Sequence, residues 1–198
     1  MAPIVLTKLL RLSQITGGYI GTEDGPIAVS GAKYGLLANT LEEILSGNRK
    51  KVVIFCRFLP EVDGAVELAN SLGFPAVRLV GAQTAQQRWT AWHDQFQEDE
   101  RTRVIVCQIA TGGEGIELFR ASDAIFYSWD YSYGLYEQAK CRLHRPGQVN
   151  KVTYHHLMMK DTIDEVVFEA IQSKRSIAEL IIDKLRSRHP SDDGTPSA

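Results

Sequence analysis

The sequence predicts an α/β fold: a mainly parallel sheet with helices over both faces. Two observations carry this, and a third places the helices. Five short apolar runs, KVVIFC (51–56), AVRLV (76–80), RVIVC (103–107), DAIFYS (123–128) and VTYHHLM (152–158), alternate with segments of helical periodicity. The runs are rich in Val, Ile and aromatic residues on both sides of the pleat, as in strands buried on both faces. T-x-x-Q at Thr84 and T-x-x-E at Thr162 have the spacing of capping boxes, which mark where helices begin.

Taken in order, residues 4–14 (IVLTKLLRLSQ) read as a short amphipathic helix. Residues 15–31 hold five glycines and Pro26, so they read as a loop or weak hairpin. Lys33 to Leu45 carries Leu37, Leu41, Ile44 and Leu45 at helical spacing, with Gly47 as its stop. After the first strand, Pro60 to Leu72 places Val62, Val66, Ala69 and Leu72 on one face, and Gly73 ends it. The helix opened by Thr84 runs to about Gln97. A helix over about 133–145 follows the fourth strand and stops at Pro146-Gly147. The box at Thr162 starts a long helix that buries Ile163, Val166, Val167, Ala170, Ile171, Ile177, Ile181 and Leu185. From Arg188 the chain is polar with Pro and Gly, which predicts a disordered tail. The organisation expected is therefore 1–31 as a leading helix and loop, 32–187 as one domain and 188–198 as tail.

Composition narrows the function. At 44% hydrophobic and 23% charged, the chain can bury an ordinary core. No apolar run is long enough to cross a membrane, and Lys8 and Arg11 interrupt the apolar N-terminus where a signal peptide would need it continuous. Three cysteines, Cys56, Cys107 and Cys141, sit in apolar or helical segments and read as reduced thiols in a cytosolic protein. A net charge of −2 excludes a broadly basic nucleic-acid glove but leaves local binding through backbone amides and a few arginines.

Two stretches could carry chemistry. In QAKCRLHRPGQ, Gln138, Arg142 and Arg145 fall at i, i+4 and i+7, so one continuous helix would put them on one stripe. An amide and two guanidiniums form a donor-rich face suited to an anion, although arginines on a helix are commonly a solvated face. Directly after the third strand, Gln108-Ile-Ala-Thr-Gly-Gly-Glu-Gly115 has three glycines in four positions. Backbone amides in such a turn can grip phosphate, and such turns are also often only tight turns. No G-x-x-x-x-G-K-[ST] loop occurs in the chain to hold a triphosphate. Asp164-Glu165 follows a cap and not an apolar strand, so it reads as dipole-complementing acids and not as a metal box. His155 and His156, Cys141 with His144, and Trp89 with Trp92 read as structural, and no metal site is expected.

The order of these motifs, VVIFCR, LVGAQTAQQR, QIATGGEGIEL, AIFYSWDYS, YEQAKCRLHRPGQ and TIDE with Lys174, resembles the second RecA-like lobe of superfamily 2 helicases. It is most similar to Swi/Snf-type DNA translocases, bacterial or phage relatives in particular. The resemblance spans about residues 33–182, and LRLSQITGG resembles the segment leading into that lobe. It implies a three-layer RecA-like, P-loop-NTPase-like helicase C-terminal domain. It implies that ATP and Mg2+ are held in a cleft completed by a first RecA-like lobe, present in the same chain or as a partner. Arg145 would be the arginine finger, with Arg142 beside it as the second catalytic residue. The implied ATP contacts are Gln138, Arg142, Arg145, Glu117 and Gly115. The implied nucleic-acid contacts, to double-stranded DNA through its backbone, are Cys56, Arg57, Phe58, Gln108, Thr111, Gly112 and Gly113. Three positions depart from the family pattern: Glu117 for Asn or Asp, Cys141 for Gly or Ala, and Tyr131 for Trp. The expectation is one motor lobe, inactive as an ATPase alone. It would be cytoplasmic in a bacterium or infected host, or nuclear in a eukaryote. The alternative is a non-catalytic nucleic-acid-binding or adaptor module of the same shape.

Overall fold

The computed structural model describes residues 2–46, 51–111, 115–175, 177 and 180. Strand β3 (Val52–Cys56) is the middle of a five-stranded, wholly parallel sheet. Beside it lie β5 (Val104–Gln108) and β6 (Asp123–Phe126), with β4 (Ala76–Leu79) and β7 (Thr153–His156) at the edges, in the order β4–β5–β3–β6–β7. Every residue of β3 is buried because each face of the sheet has its own core. On one face Val52, Ile54 and Cys56 meet Leu37 and Leu41 of α2 (Ala32–Leu45) and Val62, Ala65 and Ala69 of α3 (Leu59–Ser71). On the other, Val53 and Phe55 join the cluster containing Phe96, Tyr136 of α5 (Tyr133–Lys140), and Val167 and Ile171 of α6 (Ile163–Ser173). The three layers expected of the sequence are thus present.

Of the loop and the weak hairpin that the sequence allowed for 15–31, the structure has the hairpin. Helix α1 (Ala2–Thr16) is followed by an antiparallel hairpin of β1 (Tyr19–Thr22) and β2 (Gly25–Ala28). Gly18, at φ +95°, begins the hairpin in a conformation that favours glycine, and its carbonyl accepts from Val29 N and Ser30 N. Arg11 and Gln14 of α1 tie down the Gly21 carbonyl and amide.

Three helices differ from the sequence reading. The Thr84 box closes as expected, with Gln87 N donating to Thr84 Oγ1 (3.2 Å) and Thr84 N to Gln87 Oε1 (2.9 Å). However, α4 (Ala85–Trp89) widens into a π-helix over Thr90–Glu98. Ala91 and Phe96, five residues apart, are both buried, and the wider i→i+5 winding turns them to one side. Helix α5 ends at Lys140, not at Arg145. Pro146 has no N–H to offer the Arg142 carbonyl, which instead accepts from Leu118 N at 2.9 Å. Arg142 N and Leu143 N tighten into i→i−3 bonds to Ala139 O (3.3 Å) and Lys140 O (3.1 Å). Helix α6 is capped by Thr162 Oγ1, but the bond comes from Asp164 N and the helix stops at Lys174 in the left-handed region (φ 56°). Ile177 and Leu180 are buried beyond it. Ile181, Leu185 and the 188–198 tail lie outside the described residues.

Candidate nucleotide and nucleic-acid interfaces

At the carboxyl ends of the strands, the chain leaves β3 through Arg57-Phe58 and leaves β5 at Gln108. In parallel sheets this edge is where ligands meet loops. The Arg57 guanidinium lies 4.0 Å over the Tyr131 ring and 5.1 Å over Phe58, with its Nε 3.5 Å from Asp130. Its Nη1 is buried with no hydrogen-bond partner among the described residues. Gln108 Oε1 faces Gly81 N (3.4 Å) and Thr111 Oγ1 (3.5 Å). Thr111 is almost fully covered. Cys56 is fully buried in the core, and burial pushes its thiol well above the ordinary range, so its side chain packs and does not face a ligand. Gly112 and Gly113 lie outside the described residues.

A buried carboxyl holds this loop in place. Arg57 N donates to Ser128 Oγ (2.8 Å), Ser128 Oγ donates to Glu61 Oε2, and Phe58 N donates to the same oxygen (3.2 Å). Glu61 Oε1 has no partner among the described residues and presses on Gly17, where a Cβ would come within 2.2 Å of it. Burial pushes the Glu61 carboxyl up to about 7 against the pull of these hydrogen bonds and of Lys33. Sequence reading missed this residue. Its position as the third residue of a helix after a strand was the available signal.

The arginine turn lies elsewhere. Because α5 stops early, the predicted stripe is broken: Gln138 and Arg145 are exposed, whereas Arg142 is 5% exposed. Among the described residues neither arginine pairs with a carboxylate. Arg145 Nε donates to the Cys141 carbonyl at 3.2 Å. Burial lowers the Arg142 pKa, nearby Cys107 opposes this and Arg145 adds to it, but a guanidinium stays charged even so. Cys107 is in turn held up to about 12 by burial. The turn is anchored to the segment after the Gly-rich loop. Leu118 N bonds Arg142 O, and Gln148 Nε2 donates to the carbonyls of Phe119 (2.9 Å) and Ala121 (2.8 Å). Half-buried Glu117 and exposed Gly115, at φ +92°, are in that same segment. The structure thus brings Gly115, Glu117, Arg142 and Arg145 onto two joined stretches and leaves Gln138 on the helix before them.

Residues 34–147 match the family described as the helicase conserved C-terminal domain. The chain belongs to that family. Relatives are of the Swi2/Snf2 type. A SWI/SNF-related chromatin regulator A-like protein 1 homologue from Caenorhabditis elegans is 34% identical over 128 residues, covering 65% of this chain and 18% of the relative. Lymphoid-specific helicase from Homo sapiens is 29% identical over 161 residues, covering 81% and 19%. Among solved structures, the C-terminal part of the Fun30 ATPase domain superposes with a TM-score of 0.65 at 28% identity, covering 69% of this chain and 44% of that one. The Sulfolobus solfataricus SWI2/SNF2 ATPase C-terminal domain gives 0.65 at 22% identity, covering 87% and 69%, which supports the fold. This helicase C-terminal domain spans less than a fifth of the length of these two protein relatives.

Proposed function

We propose that this domain is the second motor lobe of an ATP-dependent DNA translocase or helicase, completing an ATP–Mg2+ site held mainly by a first RecA-like lobe. The observation that carries the reading is the Arg142–Arg145 turn. Two guanidiniums sit together with no carboxylate against either among the described residues, in a chain that has no phosphate loop. Buried Arg142 costs desolvation that an anionic ligand would offset. Exposed Arg145 is the residue free to reach a γ-phosphate and support charge that develops during phosphoryl transfer. Arg57, Phe58, Gln108, Thr111, Gly112 and Gly113 take the DNA backbone, without reading sequence.

The test joins this chain to a first lobe and measures DNA-stimulated ATP hydrolysis. Arg145→Ala is expected to lower turnover on the order of 10³-fold, as loss of an arginine finger does, with an unchanged melting curve. The chain alone is expected to show no ATPase activity. Near wild-type turnover in Arg145→Ala would remove the finger assignment, and tight ATP-independent DNA binding by the chain alone would favour an adaptor.

A further inference from the structure

The β1–β2 hairpin is not used by anything above, yet it stands against the proposed DNA-contacting residues. Arg57, Phe58 and Gln108 line one side of a cleft of about 410 Å³. Tyr19, Gly21, Thr22, Gly25 and Pro26 line the other, with Gln14 of α1 in the cleft wall as well. Tyr19 meets Phe58 edge to face at 6.0 Å. The hairpin is held as a wall. Gly21 is bonded through both its amide and its carbonyl to α1, and Thr22 Oγ1 donates to Gly25 O (2.7 Å) across the turn. The positive charge in the lining of this space is Arg57, whose Nε lies 3.5 Å from Asp130. The glycines keep the opposite wall thin.

We propose that the hairpin is the outer wall of the DNA path, so that one sugar–phosphate strand lies between Thr22–Pro26 and the Arg57–Phe58 loop. This rests on the reading of Arg57, Phe58 and Gln108 as DNA contacts. Anything polymeric that reaches those three residues passes the hairpin, because they share one cleft. Glu23 and Asp24 form the two-residue tip between the strands. Their charge disfavours a path over the tip and keeps the phosphates on the arginine side.

The experiment is an anisotropy titration of the full chain with a short fluorescent duplex at two low salt concentrations. Thr22→Arg is expected to tighten binding on the order of threefold and to steepen the salt dependence by about one unit. Thr22→Glu is expected to weaken it comparably. Both variants remove the same Thr22–Gly25 bond, so a merely structural effect moves them alike. Gln86→Arg, on the exposed groove beside β4, adds the same charge away from the cleft and is expected to do less. Gln108→Glu keeps an acceptor for Gly81 N while placing a negative charge in the cleft, and is expected to weaken binding. If Gln108→Glu weakens binding but the two Thr22 variants shift together or match Gln86→Arg, the hairpin is not part of the path and the DNA reading stands. If the wild type does not bind at low salt, or Gln108→Glu binds as wild type does, the DNA reading falls and the hairpin assignment with it.

Discussion

At the residue scale, Glu61 ties proton uptake to folding. Its ordinary carboxyl value of 4.5 becomes about 7 in the native state, with burial as the main cause. Below 4.5 the native and unfolded forms are both protonated, and above 7 both are ionised. Between them the native state alone holds the proton, so this group's contribution is lost as pH rises through that window, by on the order of 3 kcal/mol. Half-buried His156, lowered to about 4 mainly by burial, acts with the opposite sign, because the unfolded imidazole takes up the proton first. The informative quantity is therefore the difference between Glu61→Gln and wild type. Gln keeps an acceptor for Ser128 and Phe58 N, so urea midpoints should favour the variant progressively from pH 5 to pH 8. A difference independent of pH would mean that Glu61 is ionised throughout.

At the element scale, one ion pair fixes helices from opposite ends of the chain. Lys33 of α2, 1% exposed, donates to Asp164 of α6 at 2.7 Å, and Asp164 also accepts from Thr16 Oγ1 of α1 (2.9 Å) and Met159 N (3.1 Å). The ammonium lies 5.2 Å from the Tyr127 ring. Removing one member leaves a buried charge, so Lys33→Met is expected to cost about 3 kcal/mol or more by denaturant unfolding. Adding Asp164→Asn should recover a large part of that loss, since two neutral groups no longer need each other. A double variant as unstable as the single would show that the cost lies in packing around Lys33. This pair also marks where sequence reading stops. Periodicity located the strands and most helices because each buries a local stripe, and it placed Leu37, Leu41 and Ile44 correctly. Lys33 falls on that stripe, four residues before Leu37, and a cation there needs an anion. No local pattern says that the anion is 131 residues away, so Asp164 read as a dipole-complementing cap. The hairpin was half legible for the same reason: its glycines were visible, but its anchoring by Arg11 and Gln14 depends on where α1 packs.

At the scale of the whole molecule, a continuous stretch from Gln108 to Ala121 connects the two proposed functions. It begins at the strand edge beside Arg57 and ends bonded to the arginine turn. The sequence showed both motifs but not their joint, because a side chain reaching back to carbonyls leaves no spacing rule. That joint is Gln148, whose amide nitrogen donates to Phe119 O and Ala121 O, with the Leu143 carbonyl at 3.5 Å. Its Oε1 accepts from Asn150 N at 3.0 Å. Gln148→Glu keeps the acceptor and loses the donor, leaving the two close carbonyls facing a carboxylate. It is expected to destabilise the domain by about 1–3 kcal/mol, the cost of unsatisfied buried polar groups. In the protein joined to a first lobe, the same variant should lower the ratio of DNA-stimulated to basal turnover more than it lowers basal turnover. Arg145→Ala, by contrast, should lower both together if it removes the proposed transition-state contact. If Gln148→Glu also lowered both equally, the residue would merely support the arginine turn. A selective loss of stimulation would mark 108–121 as the element through which bound DNA acts on the nucleotide.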